Sequence, residues 1–367
     1  LTDPSFFALI GSECEPSVDK SLKFHARPSR PNQHWLGFCD SYSILRAGVY
    51  GSSECVIALY ISYSQGYTRR PRLAALSIVL ALIRANSFMA IKETGLDVTF
   101  WGIRGSTPVP GPQTARYGGN TPCVEVRAGD AILVLDAGTG IQSLGRSLKQ
   151  RADGPIKLDL FLTHTHWDHI QGLPFFQLAY DPENEINIIG PKRDGLSLMD
   201  CLERQMLAPN FPVPFAALQG VKSVTEMASG ESRTFGEATV HAHSLNHPNE
   251  SIGFRIEFGG RALAYCLDHE HSDPEAIHPG VMALAQDADM LVFDAAYCDE
   301  DYPSFKGWGH STWQVGYKTA RALNVKTLAL SGFNPGVVDT DLDAIKAQVE
   351  RLDGETIVAT ESQTYSL

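Results

Sequence analysis

Short apolar runs recur along the chain from residue 96 onward. They are closed by glycine, proline or small polar residues. Their length and content predict strands at 96–101, 122–127, 131–136, 158–163, 186–190, 238–243, 252–258, 262–267, 289–293 and 326–331. Apolar residues at helical spacing predict helices at 141–150, 196–206, 313–323 and 341–351. The order is strand-rich first and mixed later, and it gives an α/β protein. No internal repeat is visible in the sequence.

Residues 1–92 do not fit this pattern. They hold turn formers, scattered aromatics and two histidines, His25 and His34, without ligand spacing. Arg69-Arg70-Pro71-Arg72 followed by the apolar stretch 73–83 imitates part of a signal peptide. It lies far inside the chain and is too short to cross a bilayer, so we expect a packed helix and no membrane partner. Met89 precedes the first catalytic strand. We therefore expect 1–92 to be an N-terminal extension, accessory or non-native, and 93–367 to be the catalytic domain.

Composition narrows the choice of partner. The 367 residues are 43% hydrophobic, enough for a full-sized core, and carry a formal charge of −12. Ten Lys/Arg against six Asp/Glu in 1–92 leave −16 on the remainder. An acidic catalytic region argues against gripping a long polyanion, which needs phosphate neutralisation. The seven cysteines (14, 39, 55, 123, 201, 266, 298) form no CxxC pair, which suggests a reducing, cytoplasmic setting.

The chemistry is concentrated in His164-Thr165-His166-Trp167-Asp168-His169, directly after the apolar strand 158–163. Positions past a strand end are where α/β proteins place their sites. Three imidazoles and a carboxylate in six positions are costly to bury unless something binds them. In an extended or turning segment His164 and His166 can face one metal while Asp168 and His169 turn to a second. Asp136-Ala137-Gly138-Thr139-Gly140 reads as a tight strand-to-helix turn beneath them.

HxHxDH after a hydrophobic strand resembles the signature of the metallo-β-lactamase fold. Phe100–Pro108, Tyr117–Thr121 and Leu135–Gly140 upstream are similar to the opening of its phosphodiesterase branch, as are Gln171–Pro174, Asn246–Pro248, Tyr265–Asp268 and Gly309–Thr312 downstream. That branch includes ribonuclease Z and the cyclic-phosphate phosphodiesterases of phosphonate metabolism. The resemblance spans about residues 95–367 and implies a four-layer αβ/βα sandwich with pseudo-symmetric halves.

It also implies a ligand set. His164, His166 and His247 would hold one ion. Asp168, His169 and Asp268 would hold a second, with Asp268 as the bridge. Zinc suits these donors, and manganese or iron could use them. The family usually adds a last histidine after a late strand, where this chain has Gly332. The second site is therefore expected to be the weaker, absent, completed by water, or rescued by His269, His271 or Asn334. Asp294 would orient His310 of Gly309-His310-Ser311-Thr312, and His310 would assist the leaving group, unless the two form a purely structural pair. His241 and His243 share one strand face and are expected to be structural. Trp167, Phe175 and Phe176 either wall the pocket or belong to the core. Segment 209–215 is either a lid or a packed connector.

The function expected is hydrolysis of a small or cyclic phosphodiester by a metal-activated hydroxide that Asp268 orients or deprotonates. One alternative is a carboxyl-ester, lactone or β-lactam hydrolase. Another is a degenerate metal-binding protein without turnover. Long nucleic acid is the less favoured substrate, and a homo-oligomer is possible.

Overall fold

Apolar runs that pair on both sides must end up inside a sheet, and this decides the architecture. In the computed structural model the described residues are 95–367 together with four earlier strands, β1 (Phe7–Ala8), β2 (Leu36–Asp40), β3 (Ser43–Tyr50) and β4 (Val56–Tyr63). The chain divides into two units, Leu1–Ala90 and Ile91–Leu367. In the first, the four strands form an antiparallel sheet of order β1-β4-β3-β2. Sequence reading had placed no strand there. The helix expected at 73–83 lies outside the described residues.

The second unit contains two seven-stranded mixed sheets. One has β5 (Leu96–Gly102), β6 (Cys123–Ala128), β7 (Ala131–Leu135), β8 (Lys157–Phe161), β9 (Glu185–Pro191) and β10 (Val221–Met227). The other has β11 (Ser232–Phe235), β12 (Ala238–Leu245), β13 (Ser251–Phe258), β14 (Arg261–Cys266), β15 (Met290–Asp294), β16 (Thr327–Ser331) and β17 (Thr356–Val358). The last strand, β18 (Thr364–Ser366), returns to the first sheet beside β5. Each sheet has three antiparallel and three parallel pairings, so the halves are alike in plan.

Burial follows the pairing. β5 alternates buried and half-buried residues, whereas every residue of β15, flanked by parallel neighbours, is buried. Between the sheets Phe161 packs edge-on against Phe235 and Phe254, with ring centroids 4.8 and 5.3 Å apart. Helices cover the outer faces. α1 (Ile141–Arg151) buries Ile141, Leu144 and Leu148 at helical spacing. α2 (Trp167–Ile170) is one turn long. α3 (Leu198–Gln205) starts at a Ser197–Asp200 capping box, which sets its first residue two later than the periodicity predicts. α4 (Pro279–Ala285), α5 (Trp313–Ala322) and α6 (Asp339–Leu352) line the second sheet. The whole is the expected four-layer αβ/βα sandwich.

In the second unit the strands absent from the sequence reading, β10, β11, β17 and β18, are the four sheet edges. An edge strand has one partner and an exposed side, so its apolar pattern is diluted. The central strands of the second unit were all anticipated to within about two residues at either end.

Candidate metal centre

Four strand ends converge on one point. Asp136 follows β7, the 164–169 turn follows β8, His247 follows β12, and Asp268 follows β14. Asp294 is the last residue of β15. Asp136 and Asp268 both take left-handed backbone, φ 62° and 53°, rare for residues other than glycine and common where a side chain must be aimed. The chain can crowd here because glycine replaces bulk. A Cβ at Gly138 would sit 2.5 Å from the Asp168 carbonyl oxygen, and one at Gly309 2.3 Å from His247 Nδ1.

The side chains form two overlapping groups that could hold metal. His164, His166, His247 and Asp268 bring one ligand atom each within 4.8 Å of one another, and so do Asp168, His169 and Asp268. Asp268 faces both ways. Its Oδ2 lies 3.5 Å from His164 Nε2 and 3.3 Å from His247 Nε2, while Oδ1 lies 3.1 Å from His169 Nε2. Asp168 Oδ2 is 3.3 Å from His169 Nε2 and accepts the Ser106 N–H at 2.7 Å.

Hydrogen bonding fixes which nitrogen of each imidazole is free. His247 Nδ1 donates to the Gly309 carbonyl at 2.7 Å, and His169 Nδ1 donates to Asp136 Oδ2 at 2.8 Å. Thr163 Oγ1 donates to Asp136 and so accepts from His164 Nδ1 at 3.0 Å. His166 Nε2 donates to Asn249 Oδ1 at 3.2 Å. Each ring therefore turns its other nitrogen inward. His166 Nδ1 and His247 Nε2 face each other at 3.1 Å as two lone pairs. The Nε2 atoms of His164 and His169 are buried with no hydrogen-bond partner. Lone pairs facing lone pairs, in a dry site, are what a cation would satisfy. The residues fit a metal.

Charge separates the two groups. Burial, reinforced by His169, holds His164 well below the usual imidazole range. For His169 burial acts the same way, but Asp268, Asp136 and Asp168 outweigh it and raise the ring well above that range. His310 is likewise pushed up, to about 9, because Asp294 and Asp268 overcome its burial. The carboxylate-rich side calls for positive charge, which divalent ions bring in quantity.

His310 has the partner expected from the sequence and joins the cluster as well. Its Nδ1 donates to Asp294 Oδ2 at 2.7 Å, and it groups with Asp268 and Asp294 as a third potential ligand set. Its ring centroid is 5.3 Å from that of His247. It thus stands at the ligand cluster itself and reaches the side for which Gly332 offers nothing. Gly332 has φ 74°, and a Cβ there would point toward Leu267 and Asp294. The other rescuers are occupied elsewhere. His269 Nδ1 accepts from the Asn246 N–H at 3.2 Å, and burial drives its pKa to about 3. His271 Nδ1 meets Ser311 Oγ at 3.2 Å, and Asn334 Oδ1 accepts from the Gly336 N–H. Asp294, fully buried, accepts from the Ala296 and Ser311 N–H groups as well as from His310.

Other expectations divide. Trp167 (79% exposed) and Phe175 stand out from the surface, while Phe176 is core. Segment 209–215 packs through Phe211 on Phe175, centroids 5.6 Å apart, and buries Phe215. His241, hydrogen-bonded to Ser232 Oγ at 2.6 Å, and His243 lie on the outer side of β12, away from the cluster. Sequence reading missed Asp136 as a partner of His169. Asp136 also accepts from the Tyr265 hydroxyl at 3.0 Å and the Thr163 N–H at 2.8 Å. The available signal was an acid closing an apolar strand, as Asp268 and Asp294 do. It missed Arg193 too, which donates to Thr165 Oγ1 and the Glu250 carbonyl and ties the ligand turn to the 249–250 loop.

A two-sheet α/β sandwich with a His/Asp cluster at its strand ends defines a class, the metal-dependent hydrolases of the metallo-β-lactamase fold. The family described as beta-lactamase superfamily domain matches residues 132–333, more than half the chain, and the protein belongs to it. Ribonuclease Z of Haloarcula marismortui is 24% identical over 313 residues, covering 72% of this chain and 94% of the relative. Ribonuclease Z of Bradyrhizobium diazoefficiens is 25% identical over 275 residues, covering 63% and 89%. Among solved structures, the fold is shared with the metallo-β-lactamase fold protein YhfI of Bacillus subtilis (TM-score 0.57, 16% identity, 75% of this chain and 100% of that one). It is shared too with the short form of human tRNase Z (TM-score 0.51, 22% identity, 73% and 98%). The solved structures share the fold, and the sequence relatives together with the cluster support a metal-dependent phosphodiesterase on it. Among the described residues no helix is long and apolar enough to cross a membrane.

Proposed function

We propose that the chain hydrolyses small or cyclic phosphodiesters at two metal sites that share Asp268. The observation that carries this is the position of Asp268, one oxygen toward His164 and His247 and the other toward His169. In this reading His164, His166 and His247 hold one ion. Asp168, His169 and His310 hold the other, and zinc suits both donor sets. Bound ions would supply neutralisation of charge building on phosphorus and a water acidified to near neutrality.

The chain's own groups do the rest. Asp136 and Asp294 fix the rings of His169 and His310 through Nδ1, and in this reading His310 helps to hold the second ion. Asp168 and Asp268 are the carboxylates placed to orient the attacking water and take its proton, which passes to the departing oxygen. Arg193 keeps the ligand turn in place through Thr165. Phosphodiesters are favoured over esters and lactams because the sequence relatives named above are ribonucleases. The acidic catalytic region favours small substrates over long RNA.

The test is the metal-reconstituted protein on bis(p-nitrophenyl) phosphate, p-nitrophenyl acetate, a chromogenic cephalosporin and a precursor tRNA. Turnover of the phosphodiester first and fastest is expected. Preference for the acetate or the cephalosporin would replace this reading with the esterase or lactamase one. Cleavage of the tRNA above all would overturn the small-substrate assignment. Silence on all four with metal bound would leave a binding protein without turnover.

A further inference from the structure

A single exposed apolar side chain is ordinary, but an exposed indole whose backbone is clamped beside a candidate metal centre is placed to meet a ligand. Trp308 is 63% exposed. Its two neighbours are clamped by one carboxylate: Glu270 Oε1 accepts the Gly307 N–H at 2.6 Å, and Oε2 accepts the Gly309 N–H at 2.8 Å. Tyr302 donates its hydroxyl to the same Oε1 at 2.8 Å. Gly307 and Gly309 take φ 89° and 91°, so the turn that lifts Trp308 outward depends on both.

The indole is braced from within. It meets Phe305 edge-on at 5.5 Å, and Phe305 stacks on Tyr297 at 4.3 Å with the rings 6° from parallel. Tyr297 in turn lies 6.2 Å from the His310 ring. The same few residues serve the metal centre, since the Gly309 carbonyl receives His247 Nδ1 and His310 follows directly. Trp308 is therefore a held, outward-facing platform joined to the ligand cluster. Trp167, 79% exposed, is its counterpart in the ligand turn, between His166 and Asp168.

We propose that Trp308 is a specificity-determining residue that stacks on the planar heterocycle of a nucleotide phosphodiester, setting the phosphate over the metal centre. This rests on the phosphodiesterase reading and narrows it. Two kinds of ligand favour an indole face: flat rings and quaternary ammonium groups. A free carboxylate beside the ring would favour the second. Here both Glu270 oxygens are engaged, and the residue before Gly307 is the exposed cation Lys306. A flat base carrying a negative phosphate meets both conditions.

The experiment compares 2′,3′-cyclic AMP with methyl β-riboside 2,3-cyclic phosphate, which has the same reacting ring and no base. It uses the full metal-loaded chain, with bis(p-nitrophenyl) phosphate as reference. Wild type should favour the nucleotide in kcat/KM by about tenfold or more, and Trp308→Ala should remove most of that preference. Trp308→Phe, which keeps a flat face, should restore much of it. Equal kcat/KM for the two cyclic substrates in wild type would overturn the proposal, as would a Trp308→Ala variant that retains the preference. Failure on all three substrates would count instead against the phosphodiesterase reading. Stacking is then decided by AMP, which should quench indole fluorescence in wild type and much less in Trp308→Ala; equal quenching in both refutes it. A preference for glycerophosphocholine over either cyclic substrate would put an ammonium ligand in its place.

Discussion

The two halves of the sandwich repeat one plan but use it differently. In the first, the acid that closes the third antiparallel strand, Asp136, sits beneath His169 and touches only neighbouring donors. In the second, the acid in the matching place, Asp268, faces the cluster and divides its oxygens between the two groups. Both have the same left-handed backbone. In the proposed reading one position in a repeated plan thus serves as support in one half and as ligand in the other. The first half delivers its ligands as one hexapeptide, whereas the second delivers single residues after separate strands.

The sharpest way to break the comparison is to remove each acid. Asp268→Ala should cost on the order of a thousandfold in kcat/KM and strip both ions, as read by plasma mass spectrometry of the dialysed protein. Retention of one tightly held ion would mean that Asp268 is no bridge. Next come the two histidines that distinguish the groups. His166→Ala and His310→Ala should each lose about a hundredfold in activity and one ion of two. A His310→Ala protein with both ions and full activity would return that residue to a structural role and reopen the question of Gly332. Asp136→Asn should be milder, since a group behind a ligand typically changes metal affinity by about 10–100-fold. Competition with a chromogenic chelator measures it, and an effect as large as that of Asp268→Ala would erase the distinction between support and ligand. The smallest effect joins the halves. Tyr265→Phe removes a buried hydroxyl donor to Asp136 and should lower the unfolding free energy by about 2 kcal/mol in urea, with the slope unchanged.

These contrasts explain what could be read in advance. The hexapeptide was legible because its ligands are adjacent and their density is improbable in a surface loop. His247 and Asp268 were reachable only through the family resemblance, since nothing in their immediate sequence marks them. His310 was found as well, and it also stands in a group that could hold metal. Its Nδ1 contact with Asp294 was foreseen, yet which way Nε2 then points depends on the path of the 299–312 segment, held by Glu270 and by the Thr312 cap of α5. Gly332 leaves the second site short of the family's histidine, and His310 is the imidazole that the proposed reading puts there. In the second unit the central strands announced themselves through apolar runs or through alternation of apolar and polar residues. The edges did not, because solvent on one side allows residues such as Lys222, Ser223 and Thr225 in β10.

One of those edges, β18, has a consequence for the whole unit. β18 contributes three residues, yet it covers the free side of β5, and the Leu367 N–H closes on the Leu96 carbonyl at 2.9 Å. Trimming the tail after Ser362 would bare a row of unsatisfied main-chain groups along an apolar strand, a template on which copies of the chain could add to one another. The tail is therefore a guard against self-association, and its loss should show first as turbidity on gentle warming rather than as slower catalysis.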